Sequence, residues 1–329
     1  MSREQLEEKQ IWVYAAALAI GAGLGLWRPT FGASLEFLIS PVIAILLYGM
    51  FTQIPFLQLR EAFANRRFTA ALLTVNFVVV PVLVWLLSRF LPDYPPLLIG
   101  VFLVLLTPCI DYVIVFTHLG HGNARLVLAS TPLLLLAQML LLPVYLWLFM
   151  GEQAAQVMSA GPFLEAFLVL IVLPMGLALA TEFWAKRRRS GGVFLEATAW
   201  LPVPFMAIIL LLVVASQIGR IEEHLTLVAL AVPVYVAFMV IMPFLGRLTA
   251  CAFRLDTQAG RALIFSAGTR NSLVVLPLAL ALPDTWILAS AVIVTQTLVE
   301  LVGELIYIRL VPSVIFREAR HCGAALADR

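Results

Sequence analysis

Ten runs of apolar residues set the main constraint on the fold of this chain. They lie at about 11–27, 35–52, 68–90, 95–117, 125–150, 161–183, 198–218, 225–246, 259–282 and 286–311. A run of roughly 17–25 apolar residues is long enough to cross a bilayer as a helix. Only 12% of the 329 residues are charged, whereas about 25% is usual for a soluble protein. The sequence therefore predicts an all-α polytopic membrane protein with ten transmembrane helices.

Lysine and arginine are distributed unevenly between the connections of these runs. With the N-terminus inside, seventeen of them fall in cytoplasmic segments and three in outer segments. Basic residues accumulate on the cytoplasmic side of membrane proteins, so we expect an inner-membrane protein with both termini in the cytoplasm. No connection is long enough for a soluble domain. Residues 1–329 are therefore predicted to form a single transmembrane transporter unit.

The fourth run contains a polar interruption, Thr107-Pro108-Cys109-Ile110-Asp111. Proline lacks a backbone donor and clashes with the preceding turn, so Pro108 should break the helix. Thr107 and Pro108 also suit the start of a new helix. Asp111 is a functional-site candidate, because a carboxylate at this depth is costly unless it is paired. The alternative is a proline kink in which Asp111 is a buried acid at the start of a helix.

A second interruption, Gly268-Thr269-Arg270-Asn271-Ser272, lies in the ninth run. A fixed shift in residue number carries Thr107 onto Thr269. The same shift relates the two halves of the chain, about 11–150 and 161–311, and we name it the repeat interval. Each half holds five runs, and an odd number of spans requires the halves to insert in opposite orientations. Paired interrupted helices mark the binding site in transporters built from inverted repeats. We therefore predict two inverted five-helix repeats whose broken helices 4 and 9 cross.

Three charged residues lie deep in these runs. Arg270 keeps its charge, so it requires a wet cavity or a carboxylate, and Asp111 is its predicted partner. Glu300 lies near the middle of the tenth run and is predicted to share that cation. The predicted substrate-binding residues are Thr107, Cys109, Arg270, Asn271 and Ser272, and the predicted ion-coupling residues are Asp111 and Glu300.

Four further polar residues are weaker candidates for lining a cavity: Asn76, Thr131, Gln138 and Glu304. Glu304 lies one turn beyond Glu300 on the same helix face, and the alternative is an interfacial pair with Arg309. For Asn76, Thr131 and Gln138, a hydrogen bond to a neighbouring helix explains the polar side chain as well as a cavity does.

Around Pro108-Cys109 the chain resembles the arsenite-efflux branch of the bile acid/sodium symporter superfamily. The other residues that carry this resemblance are Val113, Val115, Phe116-Thr117, Asn76-Phe77, Pro81, the loop Leu91–Tyr94 and Glu300. The similarity extends over about residues 40–310. It implies a core of helices 3–5 and 8–10 that moves against a panel of helices 1, 2, 6 and 7.

The ninth helix departs from both branches of that superfamily. The efflux branch usually has a glutamate there, and the sodium-coupled branch has a Gln-Asn pair preceded by a glutamate four residues earlier. Here Arg270-Asn271 stands at the pair and Ser266 stands at the glutamate position. The carboxylate that would hold sodium is therefore missing, and a fixed guanidinium lies close by.

The resemblance implies that Cys109 contacts trivalent arsenic or antimony, carried as substrate. Trivalent arsenic is thiophilic, and the thiolate is the effective ligand. From residue type alone, Cys109 would be a small buried hydrophobe. Arg270 and the helix amides would alternatively suit an organic anion.

We therefore expect a secondary active transporter that exports arsenite or antimonite by proton antiport with alternating access. A sodium- or proton-coupled organic-anion symporter is the alternative. No nucleophile–base pair, metal motif or cytoplasmic domain indicates an enzyme or a receptor, and no cofactor is expected. The expected partners are the substrate and the lipid bilayer. A homodimer is compatible with the sequence, and no nucleic-acid partner is expected.

Overall fold

The computed structural model of this protein describes residues 10–54, 65–110, 112–151, 167–221, 225–280, 282, 284–286 and 288–317. Within these ranges the secondary structure is helical, apart from turns and one isolated β-bridge. The α-helices, in chain order, are α1 (Gln10–Trp27), α2 (Pro29–Ser34), α3 (Ile39–Phe51), α4 (Arg66–Thr74), α5 (Val80–Ser88), α6 (Pro95–Leu105), α7 (Val113–Leu119), α8 (Ala124–Met150), α9 (Leu173–Arg187), α10 (Arg189–Thr198), α11 (Pro202–Ile221), α12 (Leu225–Ala252), α13 (Thr257–Gly268), α14 (Ser272–Leu280) and α15 (Leu288–Leu310). The predicted all-α class is confirmed.

Five helical stretches of the described residues are long and apolar enough to cross a membrane. They are Arg66–Ser88, Ala124–Met150, Arg189–Ser216, Leu225–Ala252 and Leu288–Ile315. Shorter apolar helices are Ala16–Trp27, Ile39–Phe51 and Pro95–Leu105. The fourth and ninth predicted spans do not reach that length as single helices, because the helix is interrupted within each. The total of ten spans remains a prediction.

The chain divides into two compact units. Unit 1 contains Met1–Leu57, Ala160–Thr226 and Leu280–Leu282, and unit 2 contains Gln58–Ser159, Leu227–Ala279 and Pro283–Arg329.

Close helix packing in unit 1 depends on small residues. A methyl group on Gly21 of α1 would lie 2.7 Å from the carbonyl oxygen of Leu211 in α11. Small residues at such positions allow the backbones of membrane helices to approach each other. The hydroxyl groups of Thr52 and Thr198 lie 2.9 Å apart and form a buried hydrogen bond. These contacts join the helices of unit 1 without charged groups.

Helix starts in unit 2 follow from the local sequence. Proline at the first position begins α6 at Pro95, where a missing N–H costs nothing. The Asn123 side chain accepts a hydrogen bond from the N–H of Leu126 (3.3 Å) at the start of α8. The Asp256 side chain accepts one from the N–H of Ala259 (2.8 Å) at the start of α13. Such caps satisfy backbone donors that have no partner within the helix.

Candidate functional site

Two helix interruptions in unit 2 occur where the sequence predicts them. The helix α6 ends at Leu105 and α7 begins at Val113, whereas α13 ends at Gly268 and α14 begins at Ser272. Pro108 explains the first break, because its ring excludes a continuous helix. Gly268 is a typical helix end and explains the second. Asp111, the predicted acid of the first break, lies outside the described residues.

The two breaks pair with each other through their backbones. Pro108 and Arg270 form an antiparallel bridge. On one side of it the Cys109 N–H donates to the Thr269 carbonyl oxygen (3.1 Å). On the other side the Asn271 N–H donates to the oxygen of Thr107 (2.9 Å). The structure thus brings together four predicted substrate-binding residues, and we name residues 107–109 and 269–271 the paired breaks. All six are buried.

The guanidinium of Arg270 lies at the ends of two helices. Its Nη2 donates to the carbonyl oxygens of Ser266 (2.8 Å) and Ala267 (2.6 Å), in the last turn of α13. Its Nη1 lies 3.4 Å from the oxygen of Leu105, the last residue of α6. Carbonyl groups at helix C-termini lack intrahelical donors and carry partial negative charge. The guanidinium therefore satisfies and neutralises two helix C-termini at once.

Two side chains complete the surroundings of this guanidinium. The Oδ1 atom of Asn76 accepts a hydrogen bond from Nη2 (2.9 Å). The ring of Phe238 lies with its centroid 5.5 Å from the guanidinium carbon, which is a cation–π distance. Arg270 is fully buried. A wet cavity or a carboxylate was expected here, but within the described ranges the hydrogen-bond partners of the guanidinium are neutral oxygen atoms.

The carboxylate of Glu300 binds the backbone of the second break. Its Oε2 accepts hydrogen bonds from the Arg270 N–H (2.8 Å) and from the amide of Gln296 (2.5 Å). Its Oε1 lies 2.6 Å from the hydroxyl of Tyr112. Glu300 was predicted to share the guanidinium, but it engages the backbone N–H of Arg270 instead. A carboxylate that receives three donors is an acceptor at each contact, as its ionised form requires.

Glu304 also contacts the second break. Its Oε1 lies 2.9 Å from the Thr269 hydroxyl, and its Oε2 has no hydrogen-bond partner in the described structure. The side chain is completely buried. An interfacial pair with Arg309 is therefore wrong as an explanation for Glu304.

The remaining predicted residues divide into two groups. The hydroxyl of Thr131 donates to the Leu128 oxygen of its own helix (2.7 Å), which is a structural role. The Asn271 side-chain oxygen caps α14 by accepting from the N–H of Val274 (3.2 Å). Among the described residues, however, Asn271 Nδ2, Ser272 Oγ and both polar atoms of Gln138 are buried without hydrogen-bond partners.

Hydrogen bonds in unit 2 recur at the repeat interval. The hydroxyl of Tyr145 donates to the Phe77 oxygen (2.6 Å), and that of Tyr307 donates to the Met239 oxygen. The hydroxyl of Thr107 donates to the oxygen four residues before it (2.9 Å), as does that of Thr269 (2.7 Å). The same interval separates the first residues of α6 and α13.

Sequence reasoning missed three residues that contact this site. Tyr112 and Gln296 bind Glu300, and Phe238 faces the guanidinium of Arg270. Gln296 precedes Glu300 by one helical turn, a spacing that places the two on one face. That spacing was the available signal. Among the described residues no group of three or more His, Cys, Asp or Glu side chains could hold a metal ion.

Comparison with known families gives one match. The family described as Sodium Bile acid symporter family matches residues 40–224, which is more than half of the 329 residues and includes the first break. No curated protein matches the chain.

Proposed function

The chain belongs to the sodium bile acid symporter family, and from this premise we propose that it is a secondary active transporter that exports arsenite or antimonite. Symporters move solutes and are not enzymes. The observation that carries the proposal is the position of Cys109. This cysteine is completely buried, and its backbone N–H is part of the paired breaks. Interrupted helices mark the substrate site in transporters with internal repeats.

A thiol at that position suits a trivalent metalloid. Arsenic and antimony in this state prefer sulfur ligands, and thiolate is the reactive form of cysteine. A single thiol binds less tightly than a cage of three, which allows a transporter to release its substrate. The buried polar atoms of Asn271 and Ser272 add hydrogen-bonding groups at the start of α14. These features together support a small, hydroxylated metalloid as the substrate.

An organic anion is the alternative substrate class, and it would depend on Arg270. The Nη2 donor of that residue is already used by three oxygen atoms of the protein. An anion bound through Nη2 would displace those contacts and leave buried carbonyl groups without donors. The Nε of Arg270 has no hydrogen-bond partner among the described residues and is the donor that an anion would have to use. The occupied Nη2 therefore supports the metalloid over an anion held by both ends of the guanidinium.

The family name implies sodium, but the described residues at the paired breaks do not fit it. Transporters of this kind hold sodium with unwound backbone carbonyls and the C-terminal ends of half-helices. Here the C-terminal carbonyls of α6 and α13 face the guanidinium of Arg270. The positive charge of Arg270 therefore lies where a sodium ion would otherwise bind. We therefore assign the driving ion to the proton.

Two buried acids support proton antiport. Glu300 and Glu304 lie one turn apart on α15, and both contact the second break. A proton on Glu300 would remove its negative charge and so weaken its hydrogen bonds with the Arg270 N–H, the Tyr112 hydroxyl and the Gln296 amide. Protonation would thereby loosen the contact between α15 and the paired breaks. Asp111 is proposed as a further coupling acid from its sequence position.

The wider architecture is part of this proposal. We propose ten spans in two inverted repeats, and the hydrogen bonds that recur at the repeat interval support it. We also propose a core of helices 3–5 and 8–10 and a panel of helices 1, 2, 6 and 7, in an inner membrane with both termini cytoplasmic. The division of the chain into two units supports this assignment.

Everted membrane vesicles test the substrate. Their lumen corresponds to the outside, so vesicles with an acidic lumen should accumulate arsenite if the protein exports it. We expect Cys109→Ser, which is close to cysteine in volume, to lose most of this uptake at equal protein content. Uptake of carboxylates in place of arsenite would support the organic-anion alternative, and equal uptake by Cys109→Ser would exclude the thiol contact.

A further inference from the structure

The side chain of Gln138 is buried in α8 without any hydrogen bond. It is 1% exposed, and neither its Nε2 nor its Oε1 has a partner in the part of the chain that the structure describes. Buried amides are almost always hydrogen-bonded, because a missing partner destabilises the fold. An amide in this state requires a specific explanation.

The internal repeat identifies Glu300 as the counterpart of Gln138, since the repeat interval separates the two. The register is defined by Tyr145 and Tyr307, which lie seven residues further along the same two helices. Their hydroxyls donate to backbone oxygens that are themselves related by the repeat interval. Gln138 therefore occupies, toward the first break, the place that Glu300 occupies toward the second.

The two residues differ in the hydrogen-bond donors that surround them. The donors to Glu300 are the Arg270 N–H, the Tyr112 hydroxyl and the Gln296 amide. Their counterparts, each one repeat interval away, are Pro108, Val274 and Leu134. Proline has no N–H, and valine and leucine have no polar side-chain atoms. Every group that satisfies Glu300 is therefore absent around Gln138.

Two other buried polar residues, Asn271 and Ser272, come shortly before Val274 in the chain. Val274 is the counterpart of Tyr112, which contacts Glu300. Within the described ranges, Asn271 Nδ2 and Ser272 Oγ also have no hydrogen-bond partner. The three side chains together offer donors and acceptors but no formal charge. Such a set matches a neutral molecule with several hydroxyl groups.

We propose that Gln138 is a substrate-binding residue whose amide, with Asn271 and Ser272, holds the substrate in an uncharged, hydroxylated form. The inference rests on the proposed function and specifies it further, because arsenous acid, As(OH)3, is uncharged near neutral pH. Each of its hydroxyl groups can donate and accept a hydrogen bond. Because Gln138, Asn271 and Ser272 carry no formal charge, they suit the neutral acid better than an anion.

The melting temperature of purified protein without substrate gives the first test. Gln138→Leu removes the amide and keeps a side chain of similar size. We expect this variant to melt at the wild-type temperature or above it, because an unpartnered amide contributes nothing to the folded state. A clearly lower melting temperature would show that the amide holds the fold, and would overturn the proposal.

Sodium arsenite gives the second test, as a probe in the same assay. We expect arsenite to raise the wild-type melting temperature, and the affinity of Gln138→Leu to be weaker by about tenfold or more, as the loss of buried hydrogen bonds to a ligand implies. The control is Thr249→Val, which removes a hydroxyl bonded to the Leu245 oxygen of its own helix (2.9 Å) and should bind as the wild type does.

The outcomes separate the two proposals. Wild-type binding that survives in Gln138→Leu overturns the role of Gln138 and leaves the metalloid function standing. A wild-type protein that responds to neither arsenite nor antimonite overturns the metalloid function and the neutral-acid assignment together. In that case the melting comparison without substrate still decides whether the Gln138 amide holds the fold.

Discussion

Pro108 and Arg270 form an antiparallel bridge and are separated by the repeat interval, at which hydrogen bonds recur in unit 2. The repeat interval also relates the two hydrogen bonds that flank the bridge, because it carries Cys109 onto Asn271 and Thr107 onto Thr269. Pro108 and Arg270 thus occupy equivalent positions in the pairing of the two breaks. Their chemistry differs, because one lacks a backbone donor and the other adds a permanent charge. The two breaks therefore share a backbone hydrogen-bond pattern and differ in the chemistry of the residues that form it.

Removing the guanidinium should expose the helix ends that it neutralises. We expect Arg270→Ala to unfold more easily by at least about 2–3 kcal/mol, since charged hydrogen bonds contribute about 1.5–3 kcal/mol each. Transport should be lost and should partly return when guanidinium ions are added at low concentration. Melting temperatures and vesicle uptake measure the two effects.

Arg261→Ala is the matched control for that experiment. Arg261 is another buried arginine of α13, and its Nε donates to the Phe316 oxygen (3.0 Å). Its loss should destabilise the protein without making transport respond to guanidinium ions. Full transport by Arg270→Ala without added cations would contradict a role for the charge.

The paired tyrosines test the internal repeat. Tyr145→Phe and Tyr307→Phe each remove one hydroxyl that donates to a backbone oxygen. We expect similar losses of unfolding free energy, about 0.5–1.5 kcal/mol each, which is usual for one hydrogen bond. Tyr94→Phe serves as the control and should change little. Strongly unequal losses would show that the two contacts are not equivalent.

The positions of both breaks were predictable because their causes are local. Pro108 excludes a helix by its own ring, and Gly268 ends one by its own flexibility. The pairing of the breaks was predictable from the repeat interval. The partners of Arg270 were not, because they depend on which helix ends approach each other in three dimensions.

Asn76 shows the same limit. Sequence alone could not separate a cavity-lining role from a helix contact, and the structure places its Oδ1 on the guanidinium of Arg270. For Glu304 the sequence left open a cavity-lining role and an interfacial pair with Arg309, since burial is not visible there. Gln296 and Tyr112 were missed because neither is unusual by residue type until Glu300 lies between them.

The loss of unfolding free energy in Asn76→Leu should show whether the contact of Asn76 with Arg270 holds the fold. The substitution leaves a charged donor with one acceptor fewer, so we expect about 1–3 kcal/mol of destabilisation, the usual cost of a lost buried partner. Thr131→Val should cost less, because that hydroxyl bonds within its own helix. Chemical denaturation of both variants gives the comparison. An equal or larger loss for Thr131→Val would argue against the contact to Arg270.

Glu300→Gln should uncouple transport from the proton gradient. An amide at this position presents a donor where the carboxylate accepts three, and it cannot carry the coupling proton. We expect uphill uptake to disappear while downhill exchange of arsenite continues. Glu196→Gln, at an exposed site of α10, should retain both activities. A Glu300→Gln protein that still concentrates arsenite would exclude Glu300 as the coupling acid.

The sodium dependence of arsenite uptake tests the central claim most directly, which is that Arg270 replaces a mobile cation. Everted vesicles with an acidic lumen are measured in buffer without sodium and again after sodium is added. We predict the same initial rate and the same final accumulation in both. Uptake that begins only after sodium is added would contradict the claim.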